Sequence, residues 1–132
     1  CTTCHSQVHA GDNVKARAVN IGIGGGSSAH NGPVPDTTLP IFEVTCTGGK
    51  TTPFDGGVVR TNDLGVAMIS GKCADIGKFS GPQLRALAAS APYFSDGSAK
   101  DLQAVLSFYN RRFQIGLTAQ EQRDLVAFLN SL

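Results

Sequence analysis

At 132 residues the chain has the length of one ordinary domain, enough to bury a core. Its 11 Lys and Arg against 10 Asp and Glu leave a formal net charge of +1, which excludes a broad basic surface for nucleic acid and an acidic tail. No apolar run approaches the roughly 20 residues of a membrane helix. No signal peptide leads the sequence, so the leader of an exported protein is expected to have been removed.

The chain opens on "CTTCH", residues 1–5, expected on a short helical turn within residues 1–10. "GIGGGSSAHNGPVPD", residues 22–36, is a loop by composition, because glycine and proline exclude a regular element. "LPIFEVTC", residues 39–46, alternates loosely and carries Ile, Phe and Val, which predicts a short strand. In the turn-rich stretch that follows, residues 58–60 are expected to pair back with it. "NDLGVAMISG", residues 62–71, predicts a short helix or an irregular turn, stopped by Gly71.

The second half is more regular. "GPQLRALAAS", residues 81–90, predicts a helix with Pro82 at its start and Leu84 and Leu87 behind it. "APYFSDGS" is a bend closed by Asp96 and Gly97. "SAKDLQAVLSFYNRR", residues 98–112, predicts a helix with Ser98 as N-cap and Asp101 three residues on. Leu102, Val105, Leu106 and Tyr109 fall on one of its faces. In "GLTAQEQRDLVAFLNSL", Thr118 and Glu121 form a capping box, and Leu125, Phe128, Leu129 and Leu132 make the apolar stripe. There is no internal repeat. The expected architecture is a single mostly α domain, residues 1–132, with a loop-rich insertion at about 11–61 and a small β-hairpin.

The chemistry concentrates in CTTCH. In covalent haem attachment two thiols add to the two vinyl groups of haem, the two intervening residues space the sulfurs, and the adjacent His lies under the iron. In that reading Cys1 and Cys4 are the attachment points and His5 is the proximal ligand. A thioredoxin-like dithiol wants a βαβ pattern, which is lacking. A zinc site needs two further ligands at metal-like spacing, and Cys46 and Cys73 have no such arrangement. With the first pair consumed by haem, Cys46 and Cys73 remain as an even pair that an exported protein would join. Such a crosslink closes a loop of about 28 residues and contributes about 3–4 kcal/mol in the chain-entropy account. The chain has no Trp, seven Phe and two Tyr, so a cofactor would also supply apolar bulk that the side chains lack.

Haem iron in electron-transfer sites commonly takes a second axial ligand that tunes its potential. Four residues bear on that position. Met68, the one Met in the chain, would raise the potential, or else fill a core gap. His9 lies on the same side of the first helical turn as His5 and does not easily reach the opposite haem face. His30 lies in the Gly/Ser loop. Tyr109 ends an apolar stripe and should point inward, as a ligand or as a core tyrosine with a bonded hydroxyl.

The run "DIGKFSGPQLRA", "SAPYFSDGS", "LQAVLSFY" and "LTAQEQRDLVAFL" resembles, in order, the C-terminal haem domain of bacterial di-haem cytochrome c peroxidases and the related MauG group. The resemblance covers about residues 62–132 plus CTTCH; residues 6–60 match poorly. It implies a cytochrome c-like fold, one covalent haem c and a periplasmic or otherwise exported location. The distal ligand of this domain is a Met in the peroxidases and a Tyr in MauG, and that position falls on Tyr109. A phenolate would stabilise ferric iron and lower the potential. Arg85 matches an Arg of the family and is implied to pair with a haem propionate, against the plainer reading of a surface arginine. The family's calcium site would touch Ser90 and Pro92, but the match is partial and calcium is not expected.

The departures are informative. Family members carry two haems, and this chain has one CxxCH, no Trp between haems and no preceding domain. The family's Asn after "LR" is Ala86 here. The start at CTTCH therefore reads as a cut within a larger protein. The expected function is a haem c electron-transfer domain of a di-haem peroxidase-like or MauG-like oxidoreductase. Its partners would be a second haem domain or chain and a small redox donor protein. The alternatives are a self-contained haem peroxidase or high-valent-iron enzyme with an open distal site, and a domain that uses haem mainly to fold.

Overall fold

Leu102, Leu106 and Leu129 are buried together, and their spacing on two neighbouring helices organises the C-terminal half of the chain. The computed structural model describes His5 and residues 18–23, 37–47, 58–82 and 84–132. The described residues form a two-stranded antiparallel hairpin, three α-helices and two short 3-10 turns. The architecture is mostly α plus a hairpin. Backbone contacts divide it into two units, one holding His5 and Pro82–Leu132, the other the described part of Lys15–Gly81.

In the second of these, β1 (Phe42–Thr45) pairs with β2 (Val58–Thr61) in the register Phe42 to Thr61, Val44 to Val59. β2 alternates strictly: Val59 and Thr61 are buried, Val58 and Arg60 are exposed. That period of two turns one face of the hairpin onto a small core of Val59 and Ile76, flanked by Val44, Leu64, Ala67, Cys46 and Cys73. The last two lie at disulfide-bonding distance, with Cα atoms 5.9 Å apart across a sequence separation of 27. The Glu43–Arg60 pair across the strands, 3.7 Å apart, is exposed and contributes little.

The chain then turns sharply. Gly65 has φ +58, its N–H donates to Asp63 Oδ1 at 2.8 Å, and the next N–H, of Val66, donates to the Lys78 carbonyl at 2.8 Å. A Cβ on Gly65 would stand 2.2 Å from that same carbonyl oxygen, so only glycine fits. α1 (Ala67–Ser70) is a single turn, ended as expected by Gly71 in the left-handed region. A 3-10 turn at Cys73–Asp75 follows. Asp75 is held below the usual carboxylate range by hydrogen bonds from Ser70 and Lys78.

The other unit departs from the expected helix over residues 81–90. Leu84 leads into a turn, Ala86 takes the left-handed region (φ 56, ψ 33), and only a 3-10 turn forms at Leu87–Ala89. The Ala86 N–H donates to the Leu132 carbonyl at 3.1 Å, so a tertiary bond to the C-terminus takes a group that a helix would have used. α2 (Leu102–Arg112) is capped by Asp101, whose side chain accepts from the Ala104 N–H at 2.7 Å. Ser98, the expected cap, instead donates its N–H to Asp96 Oδ1.

α3 (Ala119–Asn130) begins on the anticipated Thr118–Glu121 capping box, both arms formed. Its buried side is Leu125, Val126 and Leu129. Phe128 is 57% exposed and Leu132 43%, contrary to the expected stripe. Phe128 sits about 100° around the helix from Leu129, away from α2. Asn110 ties the α2–α3 loop closed, donating to the Leu117 carbonyl at 3.1 Å and accepting its N–H at 2.8 Å. Gln103 and Gln122 join the two helices at 3.0 Å. Among the described residues, no helix is long and apolar enough to cross a membrane.

Candidate haem site

His5 is half-buried, and its Nδ1 lies 3.1 Å from the Pro82 carbonyl oxygen. A carbonyl only accepts, so Nδ1 carries the proton and donates. In the neutral ring, Nε2 is then the nitrogen with the free lone pair, which is the tautomer a metal-binding histidine requires. A backbone carbonyl in this role also fixes the ring plane and raises the basicity of the ligating nitrogen. The ring of His5 therefore fits a proximal ligand. Cys1 and Cys4, the expected attachment thiols, lie outside the described residues, as do His9 and His30.

Tyr109 sits in the third turn of α2, on the flank of the stripe that buries Leu102 and Leu106. It is half-buried among three phenylalanines: Phe108 at 5.5 Å in an edge-on arrangement, Phe113 stacked at 5.8 Å, and Phe94 tilted at 6.1 Å. Such pairs add about 0.5–1.5 kcal/mol each beyond area burial and hold a ring in place. Phe94 completes the cluster against Phe108 at 4.9 Å.

Phe94 reaches this position from a left-handed backbone, φ 68, which is costly for an aromatic residue. The surrounding bend over-determines that conformation. Tyr93 and Ala99 exchange backbone hydrogen bonds at 2.7 and 3.3 Å, Gly97 donates to the Phe94 carbonyl, and the Tyr93 hydroxyl donates to the Leu87 carbonyl at 2.7 Å. The "APYFSDGS" segment is thus a tight loop whose product is one ring laid on α2.

The other expected ligands fare differently. Met68 is 69% exposed on α1, so it fills no core gap in its unit, and it is placed in the unit other than that of His5 and Tyr109. Arg85 is exposed on the turn before Leu87. Ser90 is exposed and its hydroxyl donates to the Ala86 carbonyl at 3.1 Å; Pro92 is exposed as well. Among the described residues, no three His, Cys, Asp or Glu side chains gather in the manner of a metal site. Sequence reasoning did not reach Phe94, whose role depends on a positive φ, or Arg112, whose Nε is buried without a partner.

With this geometry in hand, the chain aligns over its whole length, at 32% identity, with cytochrome-c peroxidase IdrP1 of Denitromonas iodatirespirans. The chain belongs to the cytochrome-c peroxidase family. It spans 36% of the length of that relative. Cytochrome-c peroxidase IdrP2 of the same organism is 32% identical over 84% of the chain and 36% of its own length. Cytochrome-c peroxidase IdrP2 of Pseudomonas sp. (strain SCT) is 40% identical over 54% of the chain and 21% of its own length. No family model and no solved structure matches the chain.

Proposed function

We propose that this chain is the electron-transfer haem c domain of a di-haem peroxidase-type or MauG-like oxidoreductase, with a cytochrome c-like fold and an exported, periplasmic location. The observation that supports the reading is His5: it follows Cys1 and Cys4 at haem-attachment spacing, and its Nδ1 is engaged by the Pro82 carbonyl, which leaves the Nε2 lone pair available to a metal. When bound, haem supplies a one-electron ferric/ferrous couple. The rest is done by the chain. Cys1 and Cys4 would anchor the porphyrin through thioether bonds, and His5 would ligate the iron.

Tyr109 is the distal residue in this reading. Its ring is braced by Phe94, Phe108 and Phe113, which keeps the phenol from swinging away. As a phenolate it would favour the ferric state. Arg85 is assigned to a haem propionate, where an exposed guanidinium at the rim pays little desolvation. The disulfide of Cys46 and Cys73 suits an oxidising compartment. The partners are a second haem domain of the same oxidoreductase and a small redox donor protein, and calcium plays no part in the reading. The relatives' greater length supports the presence of further domains in proteins of this kind.

The test is the ferric spectrum of the holoprotein and of Tyr109→Phe, by electron paramagnetic resonance and resonance Raman. Loss of the phenolate-to-iron signature in Tyr109→Phe is expected. An unchanged distal-ligand spectrum in that variant would remove Tyr109 from the iron.

A further inference from the structure

Among the described residues, the buried side-chain polar atom left without a hydrogen-bond partner is Nε of Arg112. Arg112 closes α2, four residues after Phe108 and three after Tyr109, and so lies on their flank of the helix. Its guanidinium carbon stands 5.4 Å from the centroid of Phe113, the ring that stacks on Tyr109. Among the described residues, the ion pairs engage Arg60, Lys78 and Lys100, and none engages Arg112.

That arrangement is unusual for an arginine. The guanidinium stays charged at every physiological pH. Arg112 is half-buried as a residue, but its Nε is withdrawn from water, and a buried charged donor atom calls for an acceptor. The α2 C-terminus favours a cation through the helix dipole, and the Phe113 face adds a cation–π contact, but neither accepts the Nε hydrogen. A planar carboxylate does, through the paired geometry that arginine offers. On the reading given above, haem brings two carboxylates to the unit that holds His5 and Tyr109.

We propose that Arg112 binds a propionate of the haem. The inference rests on the haem reading and adds a residue to it. A cation at the haem edge stabilises the reduced, less positive porphyrin iron, so Arg112 raises the midpoint potential, opposing the phenolate of Tyr109. The two residues, one helical turn apart, would set the potential between them.

The experiment compares holoprotein carrying Arg112→Leu, Arg112→Gln, Arg112→Lys and Arg111→Leu, after mass spectrometry has established covalent haem in each. Spectroelectrochemical titration gives the midpoint, and resonance Raman the propionate bending band. Arg112→Leu and Arg112→Gln should lower the midpoint and shift that band, Arg112→Lys should restore most of the midpoint, and Arg111→Leu, at the exposed neighbouring arginine, should leave the band in place and the midpoint nearly so. A purely structural arginine would give a loss of stability in Arg112→Leu with an unmoved midpoint and band, and that result overturns the proposal. Haem-free protein overturns the haem reading itself, and the proposal with it; haem-bearing protein with unmoved readouts overturns the Arg112 assignment alone.

Discussion

Replacing Ala86 by glycine separates two accounts of residues 81–90 by the sign of its effect. In the structure Ala86 has φ 56 and ψ 33, where an L-residue with a Cβ costs about 1–2 kcal/mol. Glycine removes that cost and adds about 0.4–1 kcal/mol of unfolded-chain entropy. Ala86 is exposed, so the lost methyl gives up little buried area. Its contacts run through the backbone: its N–H to Leu132, and its carbonyl from Ala89 and the Ser90 hydroxyl. These survive the change. The net is a stabilisation of about 0.5–1 kcal/mol, or about 2–4 °C in Tm for a chain of this size. Urea denaturation followed by circular dichroism reads it directly. Ala86→Asn should act in the same direction, because Asn is enriched in this region of backbone space. If residues 81–90 were instead the regular helix that their periodicity predicts, Ala86→Gly would destabilise by about 1 kcal/mol. A loss of that size refutes the left-handed turn.

Gly65→Ala should cost about 3 kcal/mol or more, since it combines the left-handed penalty with a Cβ placed 2.2 Å from the Lys78 carbonyl, whereas Gly71→Ala, with nothing within 4 Å, should cost only about 1–2 kcal/mol. Equal losses in the two variants, measured by chemical denaturation, would show that the Gly65–Lys78 approach is not tight. Thr118→Ala should cost about 1 kcal/mol through the lost cap of α3. The same cap carries a pH signature. Hydrogen bonds from the Thr118 backbone and hydroxyl hold the Glu121 carboxyl below its ordinary 4.5. A depressed carboxyl stabilises the fold above its unfolded value, and that contribution is lost as pH falls from 4.5 through the lower folded value. Acid titration of α3 stability should be somewhat shallower in Thr118→Ala, which keeps the larger backbone bond and loses the hydroxyl bond; identical profiles would show that the Thr118 hydroxyl does not hold the Glu121 carboxylate.

How much of this was legible in the residues depended on how local the cause was. The Thr118–Glu121 box lies within four residues and formed as read. The hairpin was legible because residues 39–46 alternate loosely and carry Ile, Phe and Val, while the strict alternation of β2 shows only in its burial. The helix over residues 81–90 was not, since the Ala86 N–H is taken by Leu132, a partner 46 residues away that no local pattern announces. The cap of α2 was misplaced by one turn because both Ser98 and Asp101 suit the role, and Asp96 had already engaged the Ser98 N–H. At the site, the motif and spacing singled out His5, while the carbonyl that orients it belongs to Pro82, distant in sequence. The apolar stripe brought Tyr109 inward, but Phe94 depends on a positive φ, and the orphaned Nε of Arg112 depends on packing at the end of α2.

The account stands most directly on covalent haem at CTTCH. The decisive measurement is the intact mass of the protein produced with export and cytochrome c maturation, alongside Cys1→Ala, Cys4→Ala and the double variant. The account predicts one haem per chain retained under denaturing conditions in the parent and none in the double variant, with His5→Ala keeping the thioether mass and losing the six-coordinate spectrum. A parent mass equal to that of the bare polypeptide, or haem retained when both Cys1 and Cys4 are gone, would contradict it.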